Sequence, residues 1–280
     1  MKRSSLMLAA APCVAAFAFP AQAVAADQPT ATPDSANSSG GHRSSGQVLL
    51  EYTDFSNGFG QRKVGTLEYD LDFGGTRMVL TASQGQREYV GSTFNATRGG
   101  VAVSHDWSER FYTRTAVSVS TNDPVFPTFD AQQEFNFRVT PELTLQAGGR
   151  YVRYYGGRDA VSWQAGATYY FRGGSVSYRY TGYDVEGLGT TGGHTVSVRV
   201  DDPGRGRGFT QAWFGAGNNV QEYEALPQLF RGNYYSVALR RVQPITDLLA
   251  LNLGVTQSWY DTGLTKYEGT TARVGLSINR

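Results

Sequence analysis

From Val48 to Ile278 the chain repeats one pattern: short runs in which every second residue is apolar and the residues between are polar or very small. In residues 128–139, Phe129, Ala131, Phe135, Phe137 and Val139 share one parity, and Asp130, Gln132, Glu134, Asn136 and Arg138 the other. In 160–172, Val161, Trp163, Ala165, Ala167, Tyr169 and Phe171 oppose Ser162, Gln164, Gly166, Thr168, Tyr170 and Arg172. The runs 248–261 and 270–278 repeat the arrangement with Leu249, Leu251, Leu253 and Val255, then with Ala272, Val274, Leu276 and Ile278. Successive side chains of a strand point to opposite faces, so each run reads as a strand with one apolar and one polar side. No run after the first two dozen residues is apolar for long enough to cross a membrane as a helix, but a barrel strand turns only alternate residues to lipid.

Continued along the chain, the pattern predicts fourteen strands near 47–55, 62–73, 75–84, 96–107, 110–121, 128–139, 143–155, 160–172, 174–184, 194–202, 208–217, 231–243, 248–261 and 267–278. A tilted transmembrane strand needs roughly 9–11 residues. Links after even-numbered strands are tight, as at Gly74-Gly75, Thr140-Pro141-Glu142 and Gly173-Gly174. Links after odd-numbered strands tend to be longer, the largest being 84–95, 185–193 and 218–230. Outer-membrane barrels have short periplasmic turns and longer outer loops. The expected fold is therefore an all-β, transmembrane, antiparallel up-and-down barrel of about fourteen strands, with twelve or sixteen as alternatives and both termini periplasmic. Aromatics at the strand ends fit interface girdles. Trp163, Trp259, Tyr260, Tyr154, Tyr155, Tyr183, Tyr234 and Tyr235 lie toward the outer ends, and Phe73, Trp107, Phe111 and Phe171 toward the turns.

The first residues have the form of an export signal. Lys2 and Arg3 precede an apolar run from Leu6 to Phe19, and Ala21-Gln22-Ala23 follows. Cleavage is expected after Ala23, giving a signal peptide at 1–23, a flexible periplasmic leader at 24–46 and a barrel domain at 47–280. The leader holds Pro, Ser, Thr, Asn and Gly and nothing apolar larger than Ala from 27 on. Cys13 is the lone cysteine and lies inside the signal, so the mature chain would carry no disulfide and no thiolate metal site. The 25 Lys and Arg nearly balance the 24 Asp and Glu, which gives no reason to expect a nucleic-acid partner.

The stretch RGGSVSYRYTGYDVEGLGTTGGHTVSVRV, through to QSWYDTGLTKYEGTTARVGLSINR, resembles the YaiO family of outer-membrane β-barrels. Its repeated G-x-Y and Y-x-Y strands and a late glycine-rich loop carry the resemblance, which covers roughly residues 47–280. No catalytic motif carries it, and it implies an outer-membrane barrel with an activity the family does not define; the signal peptide implies export through the Sec route. Outer-membrane lipids, lipopolysaccharide and the barrel-assembly machinery are the implied partners. Such barrels commonly end in an aromatic residue that assists assembly, whereas this chain ends Ile278-Asn279-Arg280.

Alternation assigns Arg114, Glu134, Arg138, Arg150, Arg179, Arg199 and Arg273 to the interior, with Asp130 and Asp201. Charges of both signs line a water path or pair across it and fill it, and both readings stay open. The arginine excess would favour anionic or sugar-like solutes. Passage of a polar solute or a polysaccharide is the leading function, against a structural or surface-interaction barrel without a pore. Least favoured is a lipid-modifying enzyme, for which His194 and Ser197 would have to act together. Glu222 and Glu224 in the 218–230 loop could hold a divalent cation among lipopolysaccharide phosphates, though a plain acidic loop explains them as well. The loop could instead fold inward as a constriction. The glycine-rich segment 201–208, DDPGRGRG, lacks a phosphate-loop pattern and reads as a hairpin turn. No cofactor, metal or catalytic residue is expected.

Overall fold

The computed structural model describes residues 43–279 except 90, 186–188, 204–207, 223–228, 262 and 264. The expected signal peptide and nearly all of the leader lie outside the described residues. The strands are β1 (Arg43–Phe55), β2 (Gln61–Asp72), β3 (Thr76–Tyr89), β4 (Ser92–Asp106), β5 (Phe111–Ser120), β6 (Phe129–Arg138) and β7 (Leu143–Arg153). There follow β8 (Asp159–Phe171), β9 (Gly174–Val185), β10 (Gly189–Asp201), β11 (Phe209–Glu222), β12 (Leu229–Pro244), β13 (Leu249–Asp261) and β14 (Lys266–Asn279). Each strand pairs antiparallel with its sequence neighbours, and β1 also pairs with β14, which closes the sheet on itself. Val48 stands between Leu67 of β2 and Leu276 of β14. Closure leaves no unpaired sheet edge along the shared wall, as a strand structure in hydrocarbon requires. Ser45 faces Asn279, so the start of β1 and the end of β14 share one rim, here the terminal rim; the opposite end is the far rim.

The wall is inside out relative to a soluble sandwich. Its exposed face carries Leu50, Leu67, Val198, Leu239, Val255 and Leu276, all more than two-fifths exposed. Its hidden face carries Asn136 at 0 % and Glu134 at 1 %. A water-soluble protein buries the first set and solvates the second, so this distribution requires lipid outside. Trp107, Phe73 and Phe171 lie exposed near the terminal rim, and Trp163, Trp259 and Tyr235 toward the far rim. These rings occupy the two interface levels that the sequence predicts. Tyr183, Tyr234 and Tyr260, expected in the same girdle, instead point inward and are buried. In Tyr234-Tyr235 and Trp259-Tyr260 the pleat lets only one ring of each pair face lipid.

The barrel begins four residues before the expected start. The three longest predicted links are largely strand: β3 runs to Tyr89 and β4 starts at Ser92, β9 and β10 close in at Val185 and Gly189, and β11 and β12 extend to Glu222 and Leu229. The physical reason lies on the outer face. Along β3 it reads Met78, Leu80 and Ala82, then Gln84, Gln86 and Glu88. Past the lipid band both faces are polar, so the alternation fades while the ladder continues, Gln84 opposite Thr97 and Gln86 opposite Asn95. At the terminal rim the Gly74-Gly75 corner is tight because both residues have positive φ, 68° and 85°, and Asp72 accepts the Gly74 N–H at 2.8 Å.

Candidate functional site in the barrel lumen

The seven charged residues assigned to the interior by parity all lie on the inner-facing register. They do not form one cluster. Glu134 of β6 is nearly sealed and accepts from Asn136 Nδ2 at 3.0 Å, Gln164 Nε2 of β8 at 3.1 Å and Arg179 Nη2 of β9 at 3.4 Å. Arg179 also donates to Gln146 Oε1 of β7 at 3.1 Å, and Arg114 of β5 stands opposite Glu134 in the ladder. A chord from β6 to β9 thus fixes one sector of the wall. The Glu134 carboxylate at its centre is thus met by three donors, as burial demands.

Elsewhere single carboxylates serve two guanidiniums. Glu51 of β1 accepts from Arg273 of β14 at 2.8 Å and from Arg62 of β2 at 3.3 Å. Asp130 of β6 holds Arg150 at 2.6 and 2.8 Å, with Arg98 of β4 at 3.7 Å. Near the terminal rim Arg199 donates to Asp201 at 2.7 Å and covers the Phe209 ring at 3.9 Å, and Arg77 pairs with Asp70. Arg138 donates to the Glu109 carbonyl at 2.9 Å. Arg62, Arg87, Arg98 and Arg240 are inner arginines that the sequence reading left out, although the same parity rule finds them once β2, β3, β4 and β12 are given their register.

The far mouth is narrowed from two sides. The link between β5 and β6, residues 121–128, turns inward rather than outward. Val125 is 1 % exposed and Phe126 5 %. They pack on Ala96, with Val64 and Phe94 alongside. The Val125 carbonyl accepts from Arg62 at 3.4 Å, and the Arg62 guanidinium lies 5.5 Å from the Phe126 ring centroid. Gly85 makes the space: a Cβ there would come within 2.6 Å of Val125 Cγ1 and 2.7 Å of the Phe126 ring. The second constriction is aromatic. Phe55, Tyr234, Tyr260 and Tyr267 are buried together, Tyr260 and Tyr267 stacked at 4.5 Å, Phe59 on Tyr267 at 4.2 Å, with Arg87 over Phe55 at 4.0 Å. The sequence does hold a sign of the first wedge, two large apolar residues set between Pro124 and Pro127.

Other sequence candidates separate in space. His194 faces outward, its Nδ1 2.8 Å from the Tyr178 hydroxyl, within an aromatic belt that includes Tyr180 and Trp163. Ser197 faces inward, 2.7 Å from Ser177 Oγ. The wall stands between them. Among the described residues no group of three or more His, Cys, Asp or Glu could hold a metal ion. Of the acidic-loop pair, Glu222 ends β11 and Glu224 lies outside the described residues. The 201–208 turn closes through Asp202 N–H to the Gly208 carbonyl at 2.9 Å.

A closed antiparallel wall, apolar outside and polar within, defines an integral outer-membrane β-barrel. Residues 43–222 match the model of the YaiO membrane beta barrel domain, and the chain belongs to that family. Among solved structures it is similar in fold to the CymD monoaromatic hydrocarbon channel, with TM-score 0.59, 6% identity, 86% of this chain and 89% of that one covered. The Pseudomonas putida toluene transporter TodX gives TM-score 0.56 and 8% identity over 89% and 91%. At these identities the likeness is one of fold.

Proposed function

We propose that this barrel passes a polar, anionic or sugar-like solute, or a polysaccharide, across the outer membrane. The observation that carries the reading is the excess of guanidinium on the inner face: Glu51 is shared by Arg62 and Arg273, and Asp130 by Arg98 and Arg150. Fixed positive charge in a confined low-dielectric passage attracts anions and repels cations. The fold neighbours are named for hydrocarbons and toluene, but an arginine-lined interior suits a polar cargo better. Nothing in this reading calls for catalysis, cofactor or metal.

In the same proposal both termini face the periplasm and the far rim faces outward, where it would meet lipopolysaccharide, while the apolar face contacts outer-membrane lipids. The barrel-assembly machinery would insert the chain. Reconstitution in a planar bilayer tests the passage reading. Ohmic steps with anion-selective reversal potentials are expected, and the absence of any conductance would sink it. A second reading, a filled barrel with a structural or surface role, draws on the Phe126 wedge and the aromatic cluster and expects that null result.

A further inference from the structure

The base of the β5–β6 link is firmly tied and its tip is not. At the base the Ser120 N–H donates to the Thr128 carbonyl and the Thr121 N–H to the Thr97 carbonyl, each at 3.0 Å, and Ser120 Oγ donates to the Pro127 carbonyl at 2.8 Å. Within the link the Val125 N–H donates to the Asp123 carbonyl at 2.7 Å. What seats the tip is apolar packing and Arg62 of β2, which reaches the Val125 carbonyl at 3.4 Å, near the outer limit of a hydrogen bond. Arg62 is itself poorly paired. It is 4 % exposed, its Nε has no hydrogen-bond partner, and Glu51 meets it at 3.3 Å while holding Arg273 at 2.8 Å. A guanidinium keeps its charge in any setting and, once buried, calls for a full anionic partner. Arg98 of β4 lies in the same field as Arg62 and Arg150, and its side chain is 34 % exposed on the lumen side. Asp130 meets it only at 3.7 Å, while Arg150 takes both oxygens of that carboxylate.

We infer that Arg62 is an anion-released latch: an oxyanion entering the lumen takes its guanidinium from the Val125 carbonyl, and the link leaves its seat at Gly85. The latch rests on the passage reading for its purpose but not for its test. A phosphate or carboxylate offers charge-assisted acceptors matched to the guanidinium fork, and these outcompete a neutral carbonyl at 3.4 Å. Arg98 is the open guanidinium that first draws the anion in. When the link moves, Val125 and Phe126 give up an apolar seat formed with Val64, Phe94 and Ala96, which keeps the shut state dominant without an anion. The anion therefore shifts a population instead of forcing a rigid wall.

The test reads the link without any current. In a Cys13→Ser background, Val125→Cys puts a single thiol on the tip, close in size to the native side chain. Its reaction with a bulky maleimide reports opening of the folded barrel in detergent. Sodium phosphate and sodium D-glucuronate are compared with sodium chloride at equal ionic strength. One or both should raise the labelling rate saturably, by about tenfold, and which one does so tells phosphate from carboxylate. With Arg62→Gln added, labelling in chloride should already be fast, and neither anion should speed it further. Arg62→Lys is the gentler change: it keeps the charge, loses the fork, and should respond less to either anion. Heat-modifiable gel mobility checks that each variant is folded. Equal rates in all three salts, an undiminished anion effect in a folded Arg62 variant, or slow labelling of folded Arg62→Gln in chloride overturns the latch. Conductance with anion-insensitive labelling overturns the latch alone, whereas anion-dependent labelling without conductance keeps it and removes the passage reading.

Discussion

At the scale of single residues, burial decides what a charge is for. Glu134 has almost no contact with solvent, and Arg179, Gln164 and Asn136 all point at its carboxylate. Removing one partner of a buried ion pair strands the other, at a cost of roughly 3–5 kcal/mol. Glu134→Ala is therefore expected to lower the barrel's stability by about that amount. Glu134→Gln keeps an acceptor for the amides and should lose less. Urea unfolding followed by tryptophan fluorescence measures both, and coincident midpoints for wild type and Glu134→Ala would remove the network from the account. Parity finds Glu134 and Arg179 because one residue's step flips a side chain across the wall. It does not decide Tyr234 against Tyr235, since a ring suits either face. Only the register Tyr234↔Tyr260 and Tyr260↔Tyr267 shows three tyrosines converging inside.

At the scale of elements, the strands are legible wherever lipid lies on one side and water or polar side chains on the other. Where β3 and β4 rise beyond the apolar band, Gln84, Gln86, Glu88 and Asn95 face outward, and the contrast that marks a strand disappears. The β5–β6 link is illegible for another reason: Asp123, Pro124 and Pro127 are turn residues in any setting, and the slot for Phe126 is a missing side chain at Gly85, far away in sequence. That slot makes a prediction. Gly85→Leu cannot coexist with the docked wedge, so the link must leave the lumen. With passage as proposed, unit conductance should rise in Gly85→Leu and in Phe126→Ala, the latter with the wall untouched. A companion measurement needs no current. Once the signal carrying Cys13 is removed, Phe126→Cys gives a unique thiol, and it should react slowly with a bulky maleimide until Gly85→Leu is added. Rapid labelling without that change would mean the wedge is not seated.

For the whole molecule, the two faces of the wall set what each side tolerates. An arginine on the lipid face of a barrel costs roughly 2–4 kcal/mol at mid-depth and about 0–1 near the interfaces. On β13 the outward row runs Leu249, Leu251, Leu253, Val255, Gln257 and Trp259 from the terminal rim upward. Leu253→Arg should then fall in the first class and Gln257→Arg in the second, read as the shift in unfolding midpoint in lipid vesicles; equal shifts would move the apolar band. The band also bears on direction. Polar pairs such as Gln84–Thr97 and Gln257–Glu268 extend the outer surface beyond it toward the far rim, whereas at the terminal rim Phe73, Trp107 and Phe171 lie beside the turns. A wall that continues past the membrane on one side only, with tight corners such as Gly74-Gly75 on the other, suits long outer and short periplasmic ends. An epitope placed in the exposed Asn57-Gly58 turn of the far rim should therefore be labelled by antibody on intact cells. The same epitope at Gly173, on the terminal rim, should be reached only after the outer membrane is opened. Labelling of the Gly173 epitope alone on intact cells would invert the barrel and place both termini outside.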